Sequence, residues 1–271
     1  MKLTFKVTLT IFAAVVIFAG CKKNGVAPAT PADGEIDVAT AAKQIGISFA
    51  KSFSGAYGGA KLGDGIKAPS SSKSSRLRVN GTEPYCGYVI DTTDNFTYQV
   101  FDTTKNVDSK YKFIYTCSAG TLDGYVLTDS VTYTDKGTLF LNKYLIAQNY
   151  IVNKAADDYS LVSMHGTMGN NFVEKVLNQS GAVTDTKNNH TEYTFTDVKV
   201  NTTGAGIISG TVAFSASLSE KVTGVKTFRG SFSGTMTFLG NNKATLFITY
   251  KGKTQKYAFD LITYDQTPIF N

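Results

Sequence analysis

Residues 210–219 read Gly210-Thr211-Val212-Ala213-Phe214-Ser215-Ala216-Ser217-Leu218-Ser219. In an extended chain Val212, Phe214, Ala216 and Leu218 share one side, and the serines share the other. This strict alternation marks a strand buried on one face and wet on the other. The same period runs from about residue 84 to the end of the chain. Cys86, Tyr88 and Ile90 share a face, as do Phe96, Tyr98 and Val100; Phe232, Gly234, Met236 and Phe238; Leu246, Ile248 and Tyr250; and Tyr257, Phe259 and Leu261. Turn chemistry separates the runs at Asp123-Gly124, Asp135-Lys136-Gly137, Asn170-Asn171, Ser180-Gly181, Asn188-Asn189, Gly204, Gly240-Asn241-Asn242 and Lys251-Gly252-Lys253. Roughly ten to twelve strands fit, a number that curls or splits into layers. The expected fold is all-β: a large antiparallel sheet over residues 83–271, forming a curved half-barrel or a sandwich. A membrane-spanning barrel would need outward apolar bands of about ten residues.

One amphipathic helix precedes the sheet, over residues 35–54. Val38, Ala41, Ala42, Ile45, Phe49 and Phe53 recur at three- and four-residue spacing, Asp33 or Asp37 can cap the start, and Gly55 ends it. A helix of this length is marginal alone, so it is expected to pack on the β domain. Residues 21–34 read as a flexible tether and residues 55–82, rich in Gly, Ser and Lys, as a linker.

The amino terminus carries Lys2 and Lys6, then an apolar run over residues 9–19, then Phe18-Ala19-Gly20-Cys21. A charged start, a short apolar core and small residues describe a secretory signal, here residues 1–20. The run is shorter than the about 20 residues a transmembrane helix needs. A cysteine directly after Ala-Gly resembles a bacterial lipobox, which implies that Cys21 is lipidated and anchors the chain in a membrane. Of three cysteines, Cys86 and Cys117 then remain as a pair, and an exported pair is expected to form a disulfide. No histidine has zinc-ligand spacing to either, so no metal is expected.

Of the 27 basic and 21 acidic residues, eleven basic and four acidic ones lie in residues 1–80, a net of +7; residues 81–271 carry −1. The basic balance belongs to the leader, tether and linker. A nucleic-acid binder would place it on the fold, so that class is set aside.

Phe18-Ala19-Gly20-Cys21-Lys22-Lys23-Asn24, with Cys86-Gly87-Tyr88-Val89-Ile90-Asp91-Thr92-Thr93, Tyr115-Thr116-Cys117, Gly124-Tyr125-Val126-Leu127-Thr128-Asp129-Ser130 and Ala147-Gln148-Asn149-Tyr150, resembles envelope lipoproteins of the Bacteroidota that carry no assigned activity. The resemblance implies no catalytic residue. It implies a lipid-anchored protein of the cell envelope, at the outer membrane, facing the periplasm because Lys22-Lys23 replaces the acidic residues of surface-exported members. Three triplets are similar to that phylum's O-glycosylation pattern and make Thr92, Thr103 and Ser130 candidate acceptors.

Catalytic chemistry is sparsely encoded. His165 lies near Asp157 and Asp158, His190 in a polar turn, and no Gly-x-Ser-x-Gly elbow is present. No calcium loop or other cofactor motif occurs. The 15 tyrosines include Tyr85, Tyr88, Tyr98, Tyr111, Tyr115, Tyr125, Tyr133, Tyr144 and Tyr150, which could line a concave sheet and hold a glycan, lipid or protein ligand. The leading expectation is a non-catalytic binding or scaffolding lipoprotein. A lipid-carrier-like half-barrel with an apolar cavity is the second, and a hydrolase using His165 with a nearby carboxylate is the third.

Overall fold

The computed structural model describes residues 34–58, 85–156, 159–202, 206–223 and 227–270. Residues 1–33, Cys21 among them, residues 59–84 and the expected turn at Gly204 lie outside them. No helix among the described residues is long and apolar enough to cross a membrane.

Among the described residues one helix and eleven strands follow in order: α1 (Val38–Phe53), β1 (Val89–Val100), β2 (Thr103–Ser118), β3 (Thr121–Lys136), β4 (Phe140–Lys154), β5 (Leu161–Leu177), β6 (Val183–Asn201), β7 (Gly206–Val222), β8 (Phe228–Gly240), β9 (Lys243–Tyr250), β10 (Lys253–Asp260) and β11 (Gln266–Ile269). The strands form a single antiparallel meander in which each pairs with its sequence neighbours. The sheet is not closed into a barrel. Of the two expected architectures the half-barrel is the one that fits; among the described residues one sheet, with α1, supplies the core and no second layer of strands is present.

Alternation explains the core. Along most of the long strands the buried residues are every second one, such as Tyr144, Ile146, Gln148, Tyr150 and Val152 on β4, and the alternation breaks at the register shifts of β3 and β6. Cross-strand register aligns them into rows, for example Tyr115, Tyr125, Val152, Met164 and Val198 on β2 to β6, all buried. Such a one-sided sheet must cover its apolar face. Part of the cover is α1.

The helix begins at Asp37, whose Oδ1 accepts from the Thr40 backbone N–H at 2.9 Å, and ends at Ser54 with Gly55 at φ 70°. Its axis crosses the strands. Gln148 on β4 donates to the Ser52 carbonyl at 3.4 Å, Asn170 on β5 donates to the Ser48 Oγ at 2.9 Å, and Tyr193 on β6 donates to the Ile45 carbonyl at 2.8 Å. Three to four helical residues rise about 5 Å, which matches the spacing of adjacent strands at about 4.8 Å. One stripe of the helix therefore meets one strand after another. Phe49 seats among Tyr193, Phe195 and Phe238 at ring distances of 5.4, 5.9 and 5.6 Å. Near the other end of the helix, Gln266 on β11 donates to the Ala39 carbonyl at 2.8 Å. The chain then carries Tyr57 against Tyr144 and Phe172, so the first residues of the expected linker belong to the core.

Several expected turns are strand instead. Asn170-Asn171 lies inside β5 and Asn188-Asn189 inside β6. Asp123-Gly124 lies in β3, where the register with β2 shifts between Thr116 and Cys117; the actual reversal is Ala119-Gly120, both at positive φ. Asn is favoured in turns because its side chain satisfies local backbone. Here tertiary partners take that side chain, and Asn170 donates to the helix. The expected reversals at Gly137, Ser180-Gly181, Asn241-Asn242 and Lys251-Gly252 all lie between strands.

Candidate functional site

Cys86 and Cys117 form a disulfide, closing a separation of 31 residues and tying the 85–88 turn to the end of β2. Thr92 is half-buried on β1, Thr103 opens β2 beside Asp102, and Ser130 is exposed in mid β3. Cys21 lies outside the described residues.

The tyrosines do not line an open groove. Tyr111, Tyr115, Tyr125, Tyr133, Tyr144 and Tyr150 are buried, and only Tyr85 and Tyr98 are well exposed. Burial raises Tyr115 to about 12 and lifts Tyr150 well above its ordinary value, with the Asp129 charge adding to the second.

At one rim of the inner face, Lys105, Asp135, Asn142 and Glu174 stand in register on β2 to β5. Tyr144 donates to Glu174 Oε1 at 3.1 Å. Desolvation, with Glu174 and Asp135 behind it, pushes the Tyr57 and Tyr144 phenols upward. The Tyr144–Glu174 bond makes this rim at least partly self-satisfied, a cap on the aromatic core. Asp135 was legible only as a turn residue, and its partners across the sheet were not legible at all.

His165 is exposed on β5, beside the register shift between Met164 and Gly166, and makes no ion pair among the described residues; Asp157 and Asp158 lie outside them. His190 is in mid β6 rather than in a turn. Its Nε2 lies 3.7 Å from Glu192 Oε1, and it stands opposite Ser217 of β7. The histidine and the carboxylate thus lie near each other on an open sheet face, with the serine at the facing register position. Both members of the ion pair are more than half exposed; water screens such a pair and its interaction is weak. Among the described residues no three His, Cys, Asp or Glu gather as a metal site.

The outer face of β7 and β8 contains the most distinctive surface. Its cross-strand pairs are Ser219–Arg229, Ser217–Ser231, Ser215–Ser233, Ala213–Thr235 and Thr211–Thr237. At the Arg229 end lies a shallow hollow of about 350 Å³, lined by Ser217, Leu218, Ser219, Arg229, Gly230 and Ser231. The Arg229 backbone is held from both sides. It pairs with Ser219, and its N–H donates to the Gly34 carbonyl at 2.9 Å, where the 34–36 segment stands in for the shorter β9. Asn188 donates to Ser219 Oγ at 3.1 Å, so that hydroxyl keeps its own proton for another acceptor. Sequence reading missed Arg229 because a lone arginine at a strand start has no motif. Its one signal is the run of serines opposite.

No protein-family model matches the chain, no curated protein matches it, and no solved structure matches it.

Proposed function

We propose that this chain is a membrane-anchored envelope lipoprotein whose β domain is a non-catalytic binding or scaffolding module. The observation that carries the reading is the Cys86–Cys117 disulfide, because such bonds persist in oxidising compartments outside the cytosol. It agrees with the signal-like residues 1–20 and the lipobox cysteine Cys21. The packing of α1 into the curved sheet favours a scaffold over a lipid carrier, since a carrier would have to displace Phe49 and its three hydrogen-bonded neighbours before admitting a ligand. Binding then belongs to the outer face.

The test is growth of the producing bacterium with an alkyne-tagged fatty acid. Wild-type protein is expected to take up the tag and sediment with membranes, and Cys21→Ala to lose both. An untagged wild-type chain in the cytosolic fraction would overturn the anchor. Free thiols at Cys86 and Cys117 in freshly isolated protein would remove the argument for export.

A further inference from the structure

We infer that the outer face of β7 and β8 is a binding site for an acidic glycan, with Arg229 as the clamp for a carboxylate of a sugar acid. The inference rests on the binding-module reading above and assigns it a ligand class.

Three observations support it. First, Arg229 is the sole arginine among the described residues, and its guanidinium makes no ion pair there. Lys187, Lys243 and Lys251 are each paired, with Glu220, Asp260 and Glu35. An arginine fork matches a carboxylate in two parallel hydrogen bonds. A single such charge suits a group carrying one negative charge.

Second, the hollow beside Arg229 presents the hydroxyls of Ser217, Ser219 and Ser231. Each hydroxyl both donates and accepts, which is the pattern a polyol presents in return. The volume of about 350 Å³ falls at the lower end of small-molecule sites.

Third, hydroxyls continue from Ser215–Ser233 through Thr235, opposite Ala213, to Thr211–Thr237, with no charged side chain in these pairs, while Glu192 of β6 flanks the track beside Ser215. From Ser219 to Thr211 this track is about 27 Å long at a strand rise of about 3.4 Å per residue. It is open at the surface, so a chain of several sugars can lie along it with its acid at the Arg229 end. A free phosphate would use only the clamp.

The test is titration calorimetry on the disulfide-bonded chain with a sugar trimer that carries one glucuronic acid and two neutral residues. The comparison ligands are the trimer's methyl ester, inorganic phosphate and phosphatidylglycerol vesicles. The trimer is expected to bind, and its uncharged ester to bind at least tenfold more weakly. Arg229→Gln is expected to lose about ten- to a hundredfold in affinity for the trimer, the loss of a charge-assisted hydrogen-bonded pair. Arg229→Lys keeps the charge without the fork and should fall between. Ser217→Ala with Ser231→Ala should weaken the trimer but not phosphate. Arg229→Gln binding the trimer as well as wild type would overturn the proposal. So would phosphate binding as tightly as the trimer, binding to the vesicles alone, or no trimer binding at millimolar concentration. None of these outcomes bears on acylation of Cys21, so the lipoprotein reading stands or falls separately.

Discussion

Gly46 shows how closely α1 is fitted to the sheet. A Cβ there would stand 2.5 Å from the ring of Phe259, itself 2% exposed. Alanine improves helix propensity by about 1 kcal/mol, but overpacking costs about 1–3 kcal/mol. Gly46→Ala is therefore expected to lower stability by up to about 2 kcal/mol, read from the midpoint of urea unfolding. Asp260 offers a second measurement at this scale. The Lys243 ammonium, then the backbone N–H groups of Thr263 and Ile262, hold its carboxyl down to about 2. A lowered folded-state pKa contributes stability above the ordinary carboxylate value of 3.8, and the contribution is lost as pH falls toward 2. Asp260→Asn should flatten the acid limb of stability between about pH 4 and pH 2; an unchanged limb would remove the assignment. At this scale the sequence was partly legible. An aspartate cap, Asp33 or Asp37, follows from residue type and neighbours, because a cap needs only local chain, and the structure selects Asp37. Asn170 was misread, because a polar residue in a strand has meaning only once its tertiary partner is known.

Two devices at the level of elements hold the helix and the edge of the sheet. The hydrogen bonds from Gln148, Asn170 and Tyr193 fix where α1 lies across β4 to β6. Tyr193→Phe removes the one to Ile45 and is expected to cost about 1 kcal/mol. A change within error would show that the hydroxyl merely accompanies ring packing. The disulfide acts on the other side, where β1 is an edge strand paired on one flank only. Closing a loop of this length restricts the unfolded chain by about 3–4 kcal/mol. Replacing Cys86 and Cys117 together by serine should lower unfolding stability by about that amount, and an unaffected midpoint would contradict it. The opposite edge is protected differently: β11 has four residues and contains Pro268, which cannot donate to another strand. Strand existence was legible from period-two alternation. Strand length was not, because Asn-Asn and Asp-Gly pairs that signal turns elsewhere continue through β3, β5 and β6.

The whole molecule stores many phenols in its interior. Burial raises Tyr57, Tyr115, Tyr144, Tyr150 and Tyr193 above the ordinary value of 10. Each favours the fold only while neutral. The contribution is complete below pH 10 and is lost as pH rises toward the folded-state values, about 12 for Tyr115. Stability should therefore drop steeply above pH 10, and the tyrosinate absorbance of these five buried phenols should appear together with unfolding rather than before it. Ionisation of these five in a still-folded protein, beyond what the exposed tyrosines account for, would show that the rings are hydrated.

The sequence by itself determined that this is an antiparallel β protein with one helix, because alternation and helical spacing are local properties of the chain and burial acts on them directly. Three cysteines by themselves allow three pairings, and the structure shows the Cys86–Cys117 bond. Only the tertiary structure decided that the sheet stays single and curls around α1, since that depends on side chains from strands β4 to β11 meeting the same helix. Only register could place Arg229 beside a serine track, because cross-strand neighbours are set by turn lengths and pairing over the whole meander, and no local pattern records them.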